Sequence, residues 1–162
     1  MSFRSAFHTG LIISALAFLI PGNVSARVDG EITQISLERT VCFGTCPVYK
    51  VTIHADGAVE FHGERFVALI GDFESSVNAD QFEKLEAAVE QINFVDLEDE
   101  YRFHIGPDNS RATVSDLPSR IVTVNWENMT KSVLNYFGGP DELEVLESLI
   151  DEVTTVSQWT DE

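Results

Sequence analysis

Two cysteines, Cys42 and Cys46, stand in the segment Val41-Cys42-Phe43-Gly44-Thr45-Cys46-Pro47-Val48-Tyr49, and they are the only thiols of a 162-residue chain. At this spacing three kinds of chemistry are open: a small disulfide loop, a redox-active pair, or two thiolates toward a soft metal ion. A straight strand would hold the two Cα atoms about 13 Å apart, whereas a disulfide needs about 5.5 Å. A bond therefore requires the chain to turn, and Gly44 permits it. Closing so short a loop constrains the unfolded chain by about 2 kcal/mol, so such a bond shapes a loop more than it holds a fold. The redox reading departs from the C-x-x-C spacing and has no basic neighbour nearer than Lys50 to lower a thiol pKa. The metal reading needs a histidine, and only His104, in a long central loop, is free to approach. Phe43, at the tip of the bridged loop, either reaches the core or anchors a partner.

The compartment decides among these readings. Arg4 precedes an unbroken apolar run, Leu11 to Ile20, which Pro21-Gly22 ends and Val24-Ser25-Ala26 follows. A positive start, a short apolar run and small residues at its end are the parts of a secretory signal. The run is too short to span a bilayer, which takes about 20 apolar residues. The expectation is a signal peptide at 1–26, cleaved after Ala26, and a periplasmic or secreted domain over 27–155, in a compartment that permits disulfides. No stable membrane insertion is expected after cleavage. Lys and Arg number 10 against 27 Asp and Glu, a formal charge of -17. That acidity excludes a reader of nucleic-acid phosphates. With 44% hydrophobic residues the chain can build a packed core.

The elements that position the cysteines follow from periodicity. Glu31 to Arg39 reads as a strand, with Ile35 and Leu37 on one face. Val48 to Ala55 alternates cleanly. A three-residue loop, Ala55-Asp56-Gly57, pairs Ile53 with Val59 and Val51 with Phe61 and makes one face wholly apolar, which fixes the register. Residues 66–77 predict another strand, broken near Gly71. Asn78 caps a helix with Gln81 at the capping-box position, and Phe82, Leu85, Val89 and Ile92 form its stripe. Residues 94–120 read as long and irregular. Ile121 to Trp126 and Met129 to Phe137 form a second hairpin about Glu127-Asn128. Pro140 opens a helix whose buried stripe is Leu143, Leu146, Ile150 and Val153, with a frayed acidic tail at 156–162. Tight hairpins without a long crossover predict an α+β fold: a mostly antiparallel sheet with two amphipathic helices packed on one face.

No nucleophile elbow, metalloprotease helix, P-loop or dinucleotide fingerprint occurs, and no catalytic residue or cofactor is indicated. Glu98-Asp99-Glu100, with Asp96 or Asp108, lacks the spacing of a calcium loop. Cys42, Cys46 and Pro47 resemble the C-x-x-x-C-P motif of Sco-type copper chaperones, but those are similar to thioredoxin, whose parallel core is not found here.

A second resemblance covers more of the chain. Ile35 to Gly63, with its C-x-G-x-C-P-x-Y pattern, strand and Asp-Gly turn, resembles the bacterial domain-of-unknown-function family DUF6438. Asp116-Leu117-Pro118, Ile121 to Val124, Lys131 and Gly139-Pro140 to Asp151 resemble it too. The family pattern favours glycine in the second hairpin turn, where this chain has Asn128. The resemblance implies a small exported or envelope-associated domain and carries no activity to transfer. The expected function is a non-enzymatic binding module for an unidentified protein or small molecule. The Cys42–Cys46 loop, Phe43 and segment 95–118 would form its surface. The alternative is a thiol redox or copper-handling protein using Cys42 and Cys46.

Overall fold

Alternation of apolar and polar residues along Ile32–Arg39 (β1), Val48–His54 (β2) and Ala58–Arg65 (β3) gives three strands that each bury one face. The computed structural model describes residues 30–160; the export segment expected at 1–26 lies outside them. After β3 come Gly71–Ser76 (β4) and the helix Ala79–Gln91 (α1). A single 3-10 turn, Phe94–Asp96, leads to three two-residue strands, Glu100–Tyr101 (β5), His104–Ile105 (β6) and Arg111–Ala112 (β7). Arg120–Trp126 (β8), Thr130–Asn135 (β9), the helix Asp141–Thr154 (α2) and one helical turn, Ser157–Thr160 (α3), complete the order. The main sheet runs β4-β3-β2-β1-β8-β9-β5. Every neighbouring pair is antiparallel except β5 with β9. The fold is α+β, as the hairpin spacing predicts.

The first hairpin has the expected register, Ile53 opposite Val59 and Val51 opposite Phe61. Gly57 sits at φ +87, and a Cβ there would lie 2.5 Å from the Val77 carbonyl oxygen, so this turn excludes a side chain. The second hairpin pairs Val122 with Val133, and the Trp126 amide donates to the Met129 carbonyl at 2.8 Å. Asn78 caps α1: its Oδ1 accepts from the Gln81 amide at 2.9 Å, while Gln81 Oε1 accepts from the Asn78 amide at 2.9 Å. The helices cover the face that carries Ile35, Leu37, Val51, Ile53, Val122 and Val124. The opposite face carries Glu38, Lys50, Thr52 and Glu60. No helix among the described residues is long and apolar enough to cross a membrane.

Three expectations are corrected. The strand expected over 66–77 begins only at Gly71. The β3–β4 ladder ends at Gly63 opposite Gly71, which leaves residues 66–70 without a ladder partner. The segment 94–120 is not simply irregular: β5 adds a parallel edge strand to β9, and β6 and β7 form a small ribbon of their own. The tail expected to fray from residue 156 turns back into the core. Val156 is buried, and Trp159, only 5% exposed, stacks on Phe61 with ring centroids 4.6 Å apart. Thr155, in the left-handed conformation, reverses the chain after α2 and lets the indole reach the sheet. Trp159→Ala should therefore cost roughly 3–5 kcal/mol in urea unfolding. An unchanged unfolding midpoint would mean that the tail contributes no packing.

Candidate functional site

The strand directions gather four connections at one end of the sheet. These are residues 40–47 between β1 and β2, 66–70 between β3 and β4, the long excursion 102–119, and 136–140 between β9 and α2. Cys42 and Cys46 are joined here as a disulfide, with Cα atoms 5.9 Å apart. The Gly44 amide donates to the Cys42 carbonyl at 3.0 Å within the knuckle. Phe43, at its tip, is 89% exposed and does not reach the core.

The knuckle is tied to segment 113–119. The Thr40 amide donates to the Ser119 carbonyl at 2.9 Å, and the Phe43 amide to the Asp116 carbonyl at 3.3 Å. The Ser119 amide donates in return to Thr40 Oγ1 at 2.9 Å. Tyr136, just past β9, holds the segment from beneath. Its hydroxyl donates to the Val114 carbonyl at 2.7 Å and accepts from the Leu117 amide at 3.4 Å. At Gly138, φ +85, a Cβ would lie 2.6 Å from the Phe103 carbonyl oxygen, so the absence of a side chain lets residues 103–104 cross there. Val41, Phe43, Val114 and Leu117 are all exposed on these two tethered segments.

A polar network lies immediately beneath. Arg39, the last residue of β1, stands opposite Arg120, the first of β8. Like charges directly opposite on a sheet repel, and α2 supplies the counter-charges from Glu144, Glu147 and Asp151, spaced three and four along one helix face. Arg39 Nε donates to Tyr49 Oη at 2.8 Å and to Asp151 Oδ2 at 3.1 Å, and its terminal nitrogen pairs with the same oxygen. The Tyr49 hydroxyl donates to Asp151 Oδ1 at 2.8 Å. Arg120 reaches Glu144 at 2.9 Å. Arg120 Nε also lies 2.6 Å from Glu147 Oε2, a charge contact off the hydrogen-bond line. Asn135, fully buried, donates from Nδ2 to Glu147 Oε1 at 2.9 Å.

Burial, and then the Asp151 charge, hold the Tyr49 hydroxyl above its ordinary pKa range. For Arg39, burial favours loss of charge but is outweighed by Asp151 and Tyr49, so its pKa lies above the usual value. Burial raises the Glu147 pKa more than Asn135, Arg120 and Arg39 lower it. These groups are joined to one another at the partly buried end of the sheet.

The described histidines are placed with other partners. His104 sits on β6, its ring 6.5 Å from that of Phe137, and His62 pairs with Asp72 at 2.5 Å. Among the described residues no three His, Cys, Asp or Glu side chains gather as a metal set. In the acidic run, Asp99 is drawn to Lys131 at 2.5 Å and Glu100 to Arg102 at 2.8 Å. Tyr49 ends the C-x-G-x-C-P-x-Y pattern, whereas Arg39, Arg120, Asn135 and Tyr136 carry no motif. For those four, the available signal was the 144-147-151 acidic spacing on α2.

The architecture defines an α+β domain with a disulfide-bridged loop at the end of its central strands. The model for the family described as Domain of unknown function (DUF6438) matches residues 33–154, well over half of the chain, and the chain belongs to that family. A comparison with curated proteins finds no match.

Glu147 gives the network a pH signature. Its carboxyl binds a proton more tightly folded than unfolded, so its contribution favours the fold below the ordinary glutamate range and is lost as pH rises through the raised pKa. Between about pH 4 and pH 7, urea unfolding should show Glu147→Gln gaining stability relative to the native protein. A stability difference that stays constant with pH would remove the assignment.

Proposed function

We propose that this chain is an exported, non-enzymatic binding module, periplasmic or secreted, whose contact surface is the Cys42–Cys46 knuckle together with segment 113–119. The observation that carries the reading is Phe43, a large apolar side chain left 89% in water on a loop fixed by a disulfide and by the Phe43–Asp116 and Thr40–Ser119 hydrogen bonds. Leaving such a side chain unburied forgoes about 2 kcal/mol of folding free energy, and a rigid aromatic loses little further entropy on meeting a partner. Val41, Val114 and Leu117 are further exposed apolar side chains on the same two tethered segments. Export is supported by the sequence of residues 1–26 and by the disulfide, which belongs to an oxidising compartment.

The immobilised domain should retain a partner from the exported fraction of its native cell. Phe43→Ala should lose that partner by roughly tenfold or more in affinity, with an unchanged unfolding midpoint. Equal capture by both proteins would remove Phe43 as the anchor. An intact mass of the native material should match residues 27–162 less two hydrogens, and a full-length mass would overturn export with cleavage. Titration of the reduced protein with Cu(I) addresses the copper alternative: tight one-to-one binding, lost in Cys46→Ser, would displace the binding-module reading.

A further inference from the structure

The opposite end of the sheet, away from the disulfide, holds an open groove of about 1030 Å³. It lies where β1 begins, where the β2–β3 turn reverses and where β8 ends, with α1 as one wall. Apolar atoms of Ile32, Phe82, Phe94 and Trp126 contribute to its lining. Its acidic lining comes from Glu31 and from Glu83, Glu86 and Glu90 of α1. The three helix residues follow at spacings of three and four and so share a flank of the helix, where like charges repel by a few tenths of a kcal/mol per pair. The only cation of α1, Lys84, is engaged elsewhere, 3.3 Å from Glu152 of α2. The Glu86 carboxyl is held above its usual pKa, first by burial and then by Glu90, Glu83 and Glu31. Negative charge is therefore concentrated along a partly apolar trough, with no cation of α1 to neutralise it.

We propose that this groove is a second docking site, distinct from the knuckle, and that it takes a cationic amphipathic peptide segment of a partner protein. The apolar side chains of that segment would lie on the Ile32–Phe82–Trp126 floor. Its lysine or arginine groups would meet Glu31, Glu83, Glu86 and Glu90. Charge complementarity selects this occupant: an acidic or neutral segment would leave the four carboxylates unanswered, and a simple polycation would leave the apolar lining bare.

The test uses residues 27–162 and a short fluorescent amphipathic lysine–leucine peptide, read by anisotropy. Without Arg4 the tested chain has 9 basic against 27 acidic residues, a charge of -18, and attracts any cation through its overall field, so the comparison is between two variants with equal charge change. Glu83→Gln/Glu86→Gln/Glu90→Gln should weaken binding by about tenfold, while Glu64→Gln/Glu74→Gln/Glu142→Gln should change it by less than about twofold. Spermidine should compete poorly, because it lacks an apolar face. Equal weakening by the two triple variants, competition by spermidine at the same charge concentration, or no binding by the native chain would each overturn the proposal. Retained binding of the peptide by Phe43→Ala is expected, and its loss there would contradict the separateness of the two sites.

Discussion

Two guanidinium groups facing each other across neighbouring strands set the main constraint on this molecule. Arg39 and Arg120 close the β1–β8 ladder at one end of the sheet, on the face the helices cover. Left alone, that pair would repel, and burial would sharpen the cost. The acidic stripe of α2 resolves it: Asp151 takes Arg39 together with Tyr49, and Glu144 and Glu147 take Arg120. The same helix buries Leu143, Leu146, Ile150 and Val153 against the sheet. Apolar burial supplies most of the attraction, while the ionic stripe ties α2 to the ends of β1 and β8.

That placement governs what lies above it. Thr40 follows Arg39 and Ser119 precedes Arg120, so the two arginines are the last fixed points before the chain leaves the sheet on either side. The hydrogen bonds between Thr40 and Ser119 continue the ladder outward, and the Phe43–Asp116 bond carries the connection to the tip of the knuckle. The Cys42–Cys46 bridge tightens a loop that is already anchored at its base. Its contribution is local: a five-residue ring removes only about 2 kcal/mol from the unfolded ensemble, small beside a core that runs through most of the sheet. Tyr136 and Gly138 complete the platform by holding segments 114–117 and 103–104 against the same end.

Where a side-chain pattern alone determines the structure, the sequence was readable. The Ile53–Val59 register follows from matching apolar faces, and the α1 cap from Asn78 and Gln81. The disulfide follows from the spacing of Cys42 and Cys46 and from the compartment that residues 1–26 led one to expect. What escaped depends on contacts distant in the chain. Trp159 looked like part of an acidic tail because nothing near it signals that the chain reverses at Thr155 to reach Phe61. The β5 strand is two residues long and pairs in parallel, so it has no alternation to detect. Glu147 looked like one more surface carboxylate among 27 acidic residues, although it is 2% exposed. Its partners Asn135 and Arg120 precede it by 12 and 27 positions, the first separation set by the donor pair and the second by the charge contact. A shared surface of the Phe43 loop and segment 95–118 was expected, and the Phe43–Asp116 bond joins the two; Tyr136 and the arginines beside that contact were not foreseen.

The central claim is that the charge pairing beneath the sheet end fixes the knuckle and segment 113–119 as one platform. Amide hydrogen exchange at Thr40, Phe43 and Ser119 tests it most directly, with the native protein compared to Asp151→Asn. The account predicts that removing this one charge speeds exchange at those three amides by about tenfold or more, while Val51 and Val122 in the sheet centre keep their protection. Unchanged exchange at Thr40, Phe43 and Ser119 would show that the platform stands without the pairing, and would contradict the account.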